Sequence, residues 1–379
     1  MKISFDLRLA HLAGGGEEYA RQLLRELVGR HPESGWRIYY NDWCPQQKEI
    51  LRQIKEKLPP ANKENLQLQP VRTGSLSLGQ HAEFLRFRDE SNLYHYPHFD
   101  LPLGMRHKRL VLTIHDLYPL TVANYCSAGK RAYFRLVAGR NARRAVKVIT
   151  ISQNSKKDIV NLLGINEEKI TVINQGYDLS CRPIADQNVL EKLRLKYRLP
   201  EKFIFYTGNH KPHKNLQRLI IAYGQLDRNQ REEFPLILTG KISRETAARA
   251  AEAKRLGIDG QVRFAGWVEQ RDLPGLYNLA SLVVHPSLYE GFGLAALEAM
   301  ACGTPVVCAN ATAIPEVVGE AARTFDPYQV DEITEAIKAA LEHDIGNTAV
   351  RQACLRRAGL FTWEKTAAQT YEVYQSVAK

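Results

Sequence analysis

Glu290 and Glu298 stand eight positions apart, around the small and apolar run Gly291-Phe292-Gly293-Leu294-Ala295-Ala296-Leu297. A carboxylate inside so apolar a helix needs a hydrogen-bond donor, because burying it unpaired is costly, and sugar or ribose hydroxyls are suitable donors. The two glycines permit close approach of a ligand to the backbone, and small residues open the helix near Gly293. A second cluster, Gly208-Asn209-His210-Lys211-Pro212-His213-Lys214-Asn215, lies between an apolar run at 203–207 and a helix starting near Leu216. Cations and oriented amides between a strand end and a helix start hold a diphosphate without a metal. A solvated basic turn is the rival reading of the same residues.

Gly14, Gly15 and Gly16 follow an alternating strand (Ile3, Phe5, Leu7, Leu9) and precede a helix with Glu17 and Glu18 in its first turn. There, backbone N–H groups can face an anion. A dinucleotide fingerprint needs a third glycine, and Tyr19 occupies that place, although Asp42 follows the second strand where a ribose-binding acid would sit. His115 and Asp116 end a strand at 110–114. A histidine there is either a satisfied structural residue or a group aimed into a cleft.

These residues need a scaffold, and the chain supplies its rhythm. Short β-branched or aromatic runs at 36–40, 110–114, 147–151 and 169–173 alternate with helix-length segments, as in a parallel sheet covered on both faces. A polar stretch at 178–201, containing Pro183 and Pro200, reads as a connection. The rhythm restarts at 203–207, 236–239, 262–264, 282–284 and 305–308, and the tail from about Val330 reads as helices only. The expectation is two α/β halves with a cleft at the carboxyl ends of their strands.

Composition sets the outer limits. At 379 residues, 44% hydrophobic and 25% charged, the chain has material for two domains and is not disordered. A net charge of +11 favours polyanions, phosphorylated ligands or an acidic membrane surface without choosing among them. No apolar run approaches the roughly 18 residues of a membrane span. Lys2, Asp6 and Arg8 stand where a signal peptide would be apolar, and the six cysteines form no C-x-x-C pair, so a cytoplasmic protein with reduced thiols is expected.

The run from Glu290 to Glu298, followed by Ala299-Met300-Ala301-Cys302-Gly303-Thr304-Pro305, resembles the E-x7-E signature of retaining glycosyltransferases of the GT-B fold. These are the group 1, family 4-like enzymes that use nucleotide sugars. The resemblance covers most of the chain. Gly208 to Asn215 is similar to the family's phosphate-binding segment, with Lys214 at its lysine position. Thr150-Ile151-Ser152-Gln153-Asn154-Ser155-Lys156 is similar to its V-S-x-x-S-K strand end, and Asn174-Gln175-Gly176-Tyr177-Asp178 to its hinge entry. Thr113-Ile114-His115-Asp116 resembles its cleft His-Asp, and Phe361-Thr362-Trp363-Glu364 the start of its last helix. Asn209 stands where many relatives carry arginine, which leaves His210, Lys211 and His213 as substitutes of unknown weight.

The resemblance implies two Rossmann-like, doubly wound parallel-sheet domains facing a cleft: residues 1–180 for the acceptor and 200–361 for the nucleotide sugar. The final helix, 362–379, would cross back to the first domain. It also implies catalytic parts for His115, Glu290 and Lys214, with Glu290 on the transferred sugar and Glu298 on the ribose. Donor contacts are expected from Gly15, Gly16, Gly208, Asn209, His210, Gly291, Phe292, Gly293 and Leu294, and from the 263–268 stretch with Trp267. No Asp-x-Asp occurs, which fits the family's metal-independent habit, and neither a cofactor nor a metal is expected. The implied reaction moves a hexose, leaning to mannose from GDP-mannose, to a glycan or lipid-linked acceptor in cell-surface polysaccharide or glycolipid synthesis. An epimerase of the same architecture, an NAD(P) oxidoreductase and a sugar-binding adaptor are the rivals.

Residues 130–144 concentrate six cations with apolar residues between them. They read either as a solvated helix face or as a peripheral contact with anionic lipid at the inner face of the cell membrane. Nucleic acid is the poorer partner, since no recognised module is present.

Overall fold

Parallel strands need helical crossovers, and helices on both sides bury both faces of a sheet. The computed structural model, which describes residues 1–8, 15–72, 89–102, 104–122 and 126–378, is built on this plan. Gly14 lies outside those residues. The chain divides into two compact units, Met1–Gly176 with Thr362–Lys379, and Tyr177–Phe361.

In the first unit seven parallel strands lie in the order β3-β2-β1-β4-β5-β6-β7. They are β1 (Lys2–Asp6), β2 (Gly35–Asn41), β3 (Leu66–Val71), β4 (Leu93–Tyr96), β5 (Leu110–Thr113), β6 (Lys147–Thr150) and β7 (Ile170–Val172). The apolar–polar alternation of β1 does not mark an exposed face. Ser4 and Asp6 are as buried as Ile3 and Phe5, because both sides of the sheet are covered. The sequence reading missed β3 and β4. Alternate glutamines in the first and two tyrosines flanking a histidine in the second do not resemble a β-branched run. The helix Trp363–Ala378 belongs to this unit, where Tyr374 Oη lies 2.5 Å from His95 Nδ1 and Thr366 Oγ1 donates to the Asn174 carbonyl at 2.8 Å. Gly176 is required at that seam, since a Cβ there would collide with the backbone N of Trp363.

The second unit has six parallel strands in the order β10-β9-β8-β11-β12-β13. They are β8 (Ile204–Thr207), β9 (Leu236–Thr239), β10 (Val262–Gly266), β11 (Leu282–His285), β12 (Val306–Ala309) and β13 (Arg323–Phe325). The stretch 178–201 is not a bare connection. It contains the helix Gln187–Tyr197, N-capped by Asp186, whose Leu193 packs on Gly275, and it falls within this unit.

Candidate active site

In the second unit strand order reverses between β8 and β11, which leaves a crevice outside their carboxyl ends. Both sequence clusters leave from there: Gly208 to Asn215 after β8, and Pro286 to Gly293 after β11. The two turns are stitched together. Asn215, held in left-handed backbone (φ 60°), donates from Nδ2 to the carbonyls of Pro286 at 3.1 Å and Pro327 at 2.7 Å. The Leu288 N–H donates to the His213 carbonyl at 2.8 Å.

On this frame Lys214 Nζ lies 2.5 Å from Glu290 Oε1, and His285 Nε2 lies 3.0 Å from the same oxygen. The Lys214 and Glu290 side chains are only 14% and 16% exposed, and His285 is buried. Burial works to raise the Glu290 carboxyl pKa, but Lys214 and His285 outweigh it and hold it well below the usual range. The backbone N–H of Glu290 donates to Thr312 Oγ1 at 3.0 Å, which fixes the turn. The result is an ionised acceptor beside a cation that has three N–H donors and can engage more than one oxygen.

The other expected residues fall around it. Gly208 (φ 144°) occupies backbone that a side chain rarely adopts, and a Cβ there would stand 2.9 Å from Tyr206 Oη. That hydroxyl donates to the Asn209 carbonyl at 2.8 Å. His210 differs from expectation. Its ring turns into the unit, with Nδ1 at 2.7 Å from Thr246 Oγ1 and Nε2 at 3.4 Å from the Thr239 carbonyl, so the imidazole is occupied by structure. His213 is buried too; burial and then Lys214 lower its pKa to about 4. Gly291 and Phe292 are buried, and Gly293 caps the helix Leu294–Ala301. Glu298, inside that helix, is buried and accepts from Tyr277 Oη at 2.9 Å, close to the thiols of Cys181 and Cys302. Trp267 follows the end of β10 and is 69% exposed.

In the first unit His115 follows β5. Its Nε2 lies 3.1 Å from the Pro97 carbonyl, and its ring meets Tyr19 edge-on at 4.7 Å. Burial, and then His98, lower its pKa to about 4 against the opposing pull of that carbonyl, so the ring is neutral. Ser155 Oγ donates to the His115 carbonyl at 2.9 Å, while Ser152 Oγ accepts from the Ser155 N–H at 3.0 Å. The serine motif thus holds the His115 backbone. Gly15 begins the helix Gly15–Arg30, and Gly16 lies against the His115 ring.

The sequence reading passed over His285 and the His98–Asp100 pair, whose atoms approach to 2.5 Å. His285 was findable by the rule that singled out His115, since both are histidines at the carboxyl end of a strand.

Residues 191–356 match the family described as Glycosyl transferases group 1, and residues 13–180 match Glycosyltransferase Family 4. The O-antigen chain mannosyltransferase B of Escherichia coli is 34% identical over 284 residues, covering 75% of this chain and 74% of that protein. The chain belongs to the group 1 glycosyl transferases. The serotype-specific mannosyltransferase WbdA of Escherichia coli is 31% identical over 264 residues, which are 68% of this chain but 32% of that protein. Among solved structures, Anabaena Alr3699/HepE in complex with UDP and glucose superposes with a TM-score of 0.76 at 23% identity, covering 99% of this chain and all of that one. At that identity the likeness shows the fold alone, two Rossmann-like domains of the GT-B class.

Family membership removes the support for the oxidoreductase reading, and the local structure accounts for its two residues. Tyr19 is buried against His115 and Trp363, and Asp42 pairs with Lys48 at 3.0 Å in solvent. Among the described residues of this glycosyltransferase, no group of three or more His, Cys, Asp or Glu side chains is placed to hold a metal ion. Nor is any described helix long and apolar enough to cross a membrane.

Proposed function

We propose that this glycosyltransferase moves mannose from GDP-mannose to a glycan or lipid-linked acceptor during assembly of a cell-surface polysaccharide or glycolipid. Anomeric configuration is retained and no metal takes part. The sugar is supported by relatives named as mannosyltransferases at 34% and 31% identity. The guanine base is carried over from the resemblance of the phosphate turn, Gly208-Asn209 and Pro212-His213-Lys214-Asn215, to relatives that use GDP-mannose.

The observation that carries the transfer reading is the Lys214–Glu290–His285 cluster at the strand-order reversal. As the bond from the sugar to the diphosphate breaks, its electron pair passes to the phosphate oxygen. Lys214 and the first amides of the helix Leu294–Ala301 stabilise that growing charge most at the transition state. Glu290 accepts from hydroxyls of the transferred sugar and opposes the positive charge at its reacting carbon, while Glu298 holds the ribose. The departing phosphate oxygen takes the acceptor's proton, so no dedicated general base is required. His115 acts as a neutral hydrogen-bonding ring.

The test is incubation of the full chain with labelled GDP-mannose, UDP-glucose or UDP-galactose and a membrane-lipid extract, with and without excess EDTA. Transfer from GDP-mannose alone, insensitive to EDTA, with an α-linked product by NMR, is the expected result. Transfer from a UDP sugar, an inverted product, or activity lost to EDTA and restored by Mg²⁺ would each overturn the corresponding part. Donor converted to a second nucleotide sugar without transfer would make the protein an epimerase.

A further inference from the structure

The helix Ala128–Arg144 carries Lys130, Arg131, Arg135, Arg140, Arg143 and Arg144, and no acid. One side of it serves the first unit's core: Phe134, Ala138 and Ala142 are buried there. Asn141 Nδ2, on the same side, donates to the carbonyls of Phe99 at 2.9 Å and Leu101 at 3.2 Å. The packing requirement of the helix is met by that side alone.

The outward side is not the polar face that this arrangement usually leaves. Leu136 is 70% exposed and Tyr133 51%, with Ala132 also exposed beside them. Positions 129, 132, 133, 136, 140 and 143 follow the i, i+3, i+4, i+7 spacing of one stripe, about 25 Å long over the whole helix. Arg143 lies on it, and exposed Lys130 and Arg135 border it. An exposed leucine alone is ordinary. A leucine and a tyrosine within a rim of cations are a different surface. At the helix's end Arg144 donates to the Met105 carbonyl and Lys169 to the Arg143 carbonyl at 2.6 Å, so both serve the fold and leave Lys130, Arg135 and Arg143 as the exposed cations.

We propose that the outward face of the helix Ala128–Arg144 docks this protein on an anionic lipid bilayer. The cations meet lipid phosphates, and Leu136 and Tyr133 enter the boundary between headgroups and acyl chains. A nucleic acid would satisfy the cations but offers no apolar phase to Leu136. The inference does not depend on the donor assigned above.

Vesicle flotation of the full chain tests it, using phosphatidylcholine with and without phosphatidylglycerol. Binding is expected only with phosphatidylglycerol, and it should weaken with added salt. Each cation removed should weaken it about fivefold. The Lys130→Glu/Arg135→Glu variant should therefore lose at least about twenty-five-fold, and Leu136→Asp should lose binding at unchanged charge elsewhere. Lys55→Glu/Lys57→Glu, on the exposed side of the helix Pro45–Lys57, should leave binding unchanged. Equal loss in that control pair would make the binding a property of net charge and overturn the assignment. So would wild-type binding by Leu136→Asp, binding to phosphatidylcholine alone, or duplex DNA bound more tightly than vesicles through the same cations. Thermal melting of each variant establishes that all remain folded.

Discussion

Glu290→Gln separates two roles that the structure places on one atom. Glu290 Oε1 receives both Lys214, at 2.5 Å, and His285, at 3.0 Å. The amide keeps the volume and an acceptor oxygen but not the charge. In the reaction, the lost contacts to a charged acceptor are worth about 1.5–3 kcal/mol, so kcat should fall roughly 10- to 150-fold. In the ground state the change runs the other way. Two unit charges at this range attract by on the order of 7 kcal/mol at an effective dielectric of 20. Desolvation offsets much of that. Once Glu290 is neutral, this attraction no longer competes with a diphosphate for Lys214, and nucleoside diphosphate binding should hold or tighten. Lys214→Ala should instead weaken nucleotide binding by about 1.5–3 kcal/mol. In the double variant the two changes should be non-additive by about 0.5–3 kcal/mol. Steady-state kinetics and calorimetry of GDP binding read both quantities. If Glu290→Gln weakens GDP binding tenfold with kcat intact, the carboxylate holds the nucleotide and its assignment is wrong. If neither single variant differs from wild type, the pair is structural.

Glu298→Gln should raise donor KM and weaken GDP binding while changing kcat little, because the ribose changes little in the reaction. Tyr277 keeps an oxygen to donate to, so stability measured by urea unfolding should fall by only about 1 kcal/mol. Gly208→Ala forces a Cβ into backbone at φ 144° and to 2.9 Å from Tyr206 Oη. It should cost about 1–3 kcal/mol of stability and weaken GDP binding; an unstrained, fully active variant would show that the turn adapts. Stability should also fall as pH drops from 6.5 towards 4. Burial, with lesser electrostatic contributions, lowers His115 and His213 to about 4 and His95 to about 3 from an ordinary 6.5. The folded pKa lies below the unfolded one, so the unfolded chain takes up protons first. The stabilisation is complete above 6.5 and is lost through that window at up to about 1.4 kcal/mol per pH unit for each group. Glu290, depressed below its ordinary 4.5, starts to lose its contribution only below that value, where the unfolded chain takes up the proton first. His115→Gln should reduce the slope of urea midpoints between pH 6.5 and 5, and an unchanged slope would remove His115 from this account.

The strand–helix rhythm was legible because buried parallel strands are apolar on both faces: β5, β8, β9, β11 and β12 each read as an unbroken run. β4 was not legible, because Tyr94 and His95 are buried with hydrogen-bonded polar atoms, and periodicity sees only their polarity. In the phosphate turn, sequence placed Lys214 and Glu290 each beside a strand end but could not bring them onto one oxygen, since 76 residues separate them. Parallel pairing of β8 with β11 does that. His210 shows the opposite failure. Its type and position suited a phosphate, but whether a ring faces a ligand or a buried threonine is decided by side-chain direction, which no spacing encodes.

The Lys214–Glu290 pair itself argues for a ligand. A mostly buried ion pair contributes little to stability once both charges have been desolvated, and an apolar pair would often serve the fold as well. Two hydrogen bonds from Asn215, one from the Leu288 N–H and one from the Glu290 N–H nevertheless fix the turns that hold it. Opposite charges so fixed, at the carboxyl ends of adjacent strands, form a dipole that needs little reorganisation when a ligand places negative charge beside Lys214 and hydroxyls beside Glu290. A diphosphosugar has that polarity. His285 adds a second donor to Glu290, so the carboxylate stays held when Lys214 turns towards a phosphate. His285→Phe should therefore leave free-enzyme melting nearly unchanged, because Lys214 still neutralises Glu290, but lower kcat with donor bound. Equal kcat in that variant would show that Glu290 needs no second donor when Lys214 turns away, and would remove His285 from the site.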